Sequence, residues 1–138
     1  SCAVDKSIPN FGLLVHEIMT VSLPYLNPHA GTALINMIAA ANCTPQNDTQ
    51  ALARFDLYRA VARRDEIAMS SVARHLLEND VKRPVVFEQY FVAAAMLGDI
   101  TAHESERARE IWSRYSPKTF GVHPLPADIE LLTRLAAY

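Results

Sequence analysis

Apolar positions recur along most of this chain at helical rather than strand spacing. In residues 11–23, Leu14, Ile18 and Val21 fall at i, i+4 and i+7, with Phe11 and Val15 beside them, the stripe of an amphipathic helix. Asn10 precedes that run as a capping residue. Pro24 ends or kinks it, because proline lacks an amide donor and crowds the preceding turn. Asn27-Pro28 announces a second helix, to about Asn42, since asparagine is a preferred N-cap and proline suits the first helical position. Leu34, Ile35, Met37, Ile38 and Ala41 make this helix apolar nearly all round, with small residues between them. It is therefore expected at the centre of the bundle.

Cys43 to Asp48 is polar, carries a proline and breaks the pattern. A third helix is predicted from Thr49 to Arg63, with Leu52, Phe55, Tyr58 and either Val61 or Ala62 inward. After a turn at Arg64-Asp65-Glu66, a fourth runs from Ile67 to Glu78, with Met69, Val72, Ala73, Leu76 and Leu77 inward. Asn79-Asp80 and Pro84 close it. A fifth spans Phe87 to Leu97 and is expected to stop at Gly98-Asp99, because glycine takes the left-handed C′ conformation without steric cost. A sixth places Ala108, Ile111, Trp112 and Tyr115 on one face and ends at Ser116-Pro117. Pro126 opens a last helix, to about Ala137, with Ile129, Leu132, Leu135 and Ala136 on one side. The expectation is one all-α domain of about seven helices. Residues 1–48 form an N-terminal helix pair, 49–117 two hairpins and 118–138 a capping helix.

The two hairpins share a spacing. Asp65 and Asp99, Leu77 and Ile111, and Val81 and Tyr115 are each 34 positions apart, and Pro84 and Pro117 are 33 apart. A helix–turn–helix period near 34 residues is that of tetratricopeptide arrays. The second unit, with Ala93, Leu97-Gly98-Asp99, Ala108, Ile111-Trp112, Tyr115 and Pro117, resembles a tetratricopeptide repeat. The first, Phe55 to Pro84, resembles it less closely: Arg64-Asp65 replaces Gly-Asp, and Ala73 is one position out of register with Ala108. Together they cover about half of the chain. An ordinary helical bundle is the alternative. The resemblance implies stacked hairpins whose first helices line a concave binding face, which points to Arg54, Tyr58, Glu88, Gln89 and Val92 as protein-binding residues.

Composition narrows the function classes. Thirteen basic and 15 acidic residues give a formal charge of −2, with no basic field to hold nucleic acid. No uninterrupted apolar stretch reaches the about 20 residues needed to span a bilayer, so this segment is not expected to insert in a membrane. The zinc-protease pattern HExxH is absent: His16-Glu17 has no second histidine four residues on. His75 and Glu78 are two ligands, not a site. There is no GxSxG elbow and no phosphate-cradling loop. No catalytic residue, metal or cofactor is expected.

Cys2 and Cys43 remain, one near a polar terminus and one in a predicted loop. Bridged, they would close a loop of about 40 residues and stabilise by roughly 3–4 kcal/mol on the chain-entropy model. A disulfide implies an oxidising compartment; two free thiols imply a cytosolic protein. The chain opens at Ser1-Cys2 without a methionine, as a processed or excised chain does. The reading is a non-catalytic interaction or scaffolding module with a protein or peptide partner, the periplasmic or otherwise extracytoplasmic part of a larger bacterial envelope protein. Two alternatives are a small helical enzyme or ligand binder, with His16, Glu17 or His29 converging on a pocket between the first helices and the repeats, and a self-assembling homo-oligomer.

Overall fold

The computed structural model describes residues 11–42, 49–80 and 83–119. These residues form six α-helices: α1 (Phe11–Ser22), α2 (Pro28–Asn42), α3 (Thr49–Arg63), α4 (Glu66–Asn79), α5 (Val85–Thr101) and α6 (Ser105–Thr119). A single 3₁₀ turn, Leu23–Tyr25, joins α1 to α2. There is no strand among the described residues. The helix expected at 126–137 and both cysteines lie outside them.

Local chemistry sets several boundaries. Asn27 Oδ1 accepts the Ala30 amide at 2.8 Å and caps α2. Asp65 Oδ1 accepts the Ala68 amide at 3.2 Å and caps α4. Arg83 ties the end of α4 to the start of α5. Its guanidinium donates to the carbonyls of Leu77 and Asp80, at 3.1 and 2.8 Å, and to Glu88 at 2.5 Å.

From α2 onward each helix packs on the next in sequence, and the contact between α4 and α5 is the most extensive. The central helix is α5, not α2. Phe87, Gln89 to Ala95 and Leu97 to Asp99 are all buried, and the alanines at 93–95 let neighbouring helices approach on several sides. α2 lies at the flank against α3, with Met37 63% exposed. It carries more apolar surface than the fold buries, so its apolarity misplaced it.

Two expectations about α5 and α6 need correcting. α5 does not stop at Gly98-Asp99; it runs to Thr101. Gly98 serves a crossing instead: a Cβ there would lie 2.4 Å from the Glu66 carbonyl oxygen and 2.9 Å from Ser70 Cβ. The chain reverses at Ala102 to Glu104, where His103 adopts φ 63° and the Glu104 amide bonds the Asp99 carbonyl at 2.7 Å. Arg64, at φ 55°, is its counterpart between α3 and α4. The two left-handed turn residues are thus 39 positions apart. Asp65 lies at a turn, whereas Asp99 is buried within a helix. Pro117, expected to close α6, sits in its last turn, where only one amide bond is forfeited before the helix ends.

α1 is seated on the face opposite to the one its stripe suggested. Val15, His16, Met19, Thr20 and Leu23 are buried, whereas Leu14, Ile18 and Val21 are 43%, 39% and 50% exposed.

Candidate functional site

α1 makes little contact with α2, the next helix in the chain. Its inner face sends His16 among side chains of α3 and α5, the first helices of the two hairpins. α3 presents Phe55 and Tyr58 at i and i+3. α5 presents Phe87, Tyr90 and Phe91 at i, i+3 and i+4, the spacing that puts side chains on one helical face. Tyr58 and Tyr90 face each other across the two helices with centroids 6.0 Å apart. Phe87 stacks on Phe91 at 6.0 Å.

The His16 ring enters this aromatic floor. It meets Phe87 at 4.6 Å and Tyr90 at 5.1 Å, both edge-to-face, the arrangement that sets a positive ring edge against a negative ring face. Its Nδ1 shares a hydrogen bond of 2.7 Å with the Tyr58 hydroxyl. Nε2 finds no hydrogen-bond partner among the described residues. Burial pushes the imidazole pKa from 6.5 down to about 3, and the Arg54 guanidinium adds to the shift. His16 is therefore neutral throughout the physiological range. Arg54 lies over the Phe87 ring, 5.0 Å from its centroid, and its Nε is 3.6 Å from Asp80 Oδ2. Arg54 also reaches the start of α1, where a Cβ on Gly12 would stand 3.5 Å from Nη1.

Of the residues expected to bind a partner, Tyr58, Gln89 and Val92 are buried. Arg54 and Glu88 are half-buried, and Glu88 is paired with Arg83. Arg54 and Tyr58 do come together, around His16. The part of the face that carries them is occupied by the chain's own first helix. Phe87 and Asp80 belong to the same constellation without having been singled out. The signal for His16 was a lone imidazole between Val15 and Met19 in an apolar helix.

His16, Glu17 and His29 do not converge. The first is enclosed, and the other two are exposed. His75 is exposed, with Nδ1 3.2 Å from Asn79 Nδ2. Among the described residues no group of three or more His, Cys, Asp or Glu is placed to hold a metal ion, and no helix is long and apolar enough to cross a membrane.

A second polar cluster locks α4 to α5. The buried Asp99 carboxylate accepts from the Ser70 hydroxyl and pairs with Arg74. Arg74 also donates to the Arg107 carbonyl of α6 at 3.1 Å. These bonds are directed within the fold and hold the three helices in register.

Comparison of the chain with family models, with curated proteins and with solved structures gives no match.

Proposed function

We propose that this chain is a non-catalytic protein-interaction module, built of tetratricopeptide-like hairpins, that receives a helix across the aromatic face of α3 and α5. The observation that carries the reading is the way α1 is held. It is recognised by side chains, with His16 between Tyr58, Phe87 and Tyr90, although it is separated from α3 and α5 in sequence. A groove that reads one helix through apolar anchors and a single polar contact is the helix-in-groove mode of recognition. The matching ligand is a helix offering an aliphatic residue, a neutral hydrogen-bonding ring and an unbranched apolar residue at i, i+1 and i+4, as Val15, His16 and Met19 do. Such a module suits a scaffold in the extracytoplasmic part of a bacterial envelope protein, where Cys2 and Cys43 would be bridged.

The test uses a labelled peptide of residues 11–26 and the full chain carrying His16→Glu, which unseats α1. Fluorescence anisotropy should show the variant binding the peptide at least tenfold more tightly than the wild-type chain, whose groove is filled. Adding Tyr58→Ala to the variant should abolish binding. A variant that stays helical by circular dichroism yet binds no peptide would overturn the proposal.

A further inference from the structure

Residues 11–42, covering α1, the 3₁₀ turn and α2, hold one charged residue, Glu17, and there is no lysine or arginine between Lys6 and Arg54. Surface helices of a free-standing domain normally carry charge on their outer faces, and charge depletion is a mark of an interface core. α1 places Leu14, Ile18 and Val21 outward, and Tyr25 beyond them is 85% exposed. An open recess of about 480 Å³ runs along α2, lined by Leu26, Ala30, Ala33, Leu34 and Met37, with Ser22 from the end of α1. None of these is ionisable.

We propose that this face is the contact between two copies of the chain, with the outer ridge of α1 in each copy seated in the α2 recess of the other. An apolar ridge and an apolar recess lie side by side on one surface, so the surface complements itself under a two-fold axis, as an isologous dimer requires. Leu14, Ile18, Val21, Tyr25 and Met37 together expose on the order of 500 Å² per copy. Two copies would cover about 1,000 Å², the lower end for a specific interface, which corresponds to a weak, concentration-dependent dimer. An anionic lipid surface suits this face less well, because interfacial helices depend on lysine and arginine beside their apolar stripe. The ridge is the opposite side of α1 from His16, so dimerisation and the groove reading stand or fall separately.

Sedimentation velocity of the full chain in reductant, from about 10 μM to 1 mM, tests the proposal. The wild-type mass should climb from 15.3 kDa towards twice that value. Ile18→Glu and Met37→Lys should each stay monomeric with unchanged circular dichroism, since both side chains face solvent. Mixed one to one, the two variants should recover dimer, because ridge and recess then carry opposite charges. A wild-type chain that remains at 15.3 kDa throughout, or variants that dimerise as it does, would overturn the proposal and leave this face to a different partner.

Discussion

Acid should loosen α1 through His16, and the size of the effect follows from its burial. The imidazole titrates near its ordinary 6.5 in the unfolded chain but only at about 3 when folded. Between those values the unfolded chain takes up a proton that the folded chain refuses. Stability therefore falls as pH drops through 6.5 and stops falling from this source below about 3. Each pH unit within the window costs about 1.4 kcal/mol. The loss relative to pH 8 is about 2 kcal/mol at pH 5 and about 3 kcal/mol at pH 4, set against the 5–15 kcal/mol typical of a domain. Urea unfolding followed by circular dichroism between pH 4.5 and 8 gives the slope. His16→Gln supplies the reference, since every other titrating group is shared. The wild-type curve should fall more steeply by about 1.4 kcal/mol per unit below pH 6, whatever the variant's absolute stability. Parallel curves would refute the reasoning, because His16 would then be able to charge in place and α1 could not be seated as described.

Three further outcomes are expected. Gly98→Ala forces a methyl group onto the Glu66 carbonyl, backbone that cannot rotate away, and should lower stability by about 1–3 kcal/mol in denaturant titration. Arg74→Ala strands the buried Asp99 carboxylate and should cost about 3–5 kcal/mol, with Arg74→Ala/Asp99→Ala recovering part of the loss. If the extracytoplasmic proposal holds, Cys2 and Cys43 should resist alkylation in unreduced protein and become reactive after reduction, as intact mass would record; ready alkylation of both without reductant would favour a cytosolic scaffold.

Helix positions were legible in the sequence because capping and periodicity are local. Asn27-Pro28 and the helical spacing from Thr49 to Arg63 mark α2 and α3 to the residue. What local pattern could not resolve is which face turns inward. In α1, Val15 and Met19 make as good an i, i+4 pair as Leu14 and Ile18. The choice fell to the face carrying His16 and Thr20, because Tyr58 could satisfy the imidazole and Thr20 could bond the Glu17 carbonyl at 3.2 Å. Gly98 misled for a related reason. A glycine near a helix end signals either termination or a close crossing, and only the position of α4 distinguishes them. Of the expected binding residues, Arg54 and Tyr58 lie around His16 of α1, and nothing along the sequence says so.

That seating has a consequence for how the chain is made. His16 bonds a residue 42 positions further on, and its other two ring neighbours, Phe87 and Tyr90, lie 71 and 74 positions on. At the usual 5–20 residues per second, the platform for α1 is still untranslated for about 4–15 s after His16 has been added. Through that interval a helix apolar on both faces has nowhere to dock. The most vulnerable moment for this protein therefore falls during synthesis, and mutations in α5 that leave the finished fold intact should still change how much of it a cell accumulates.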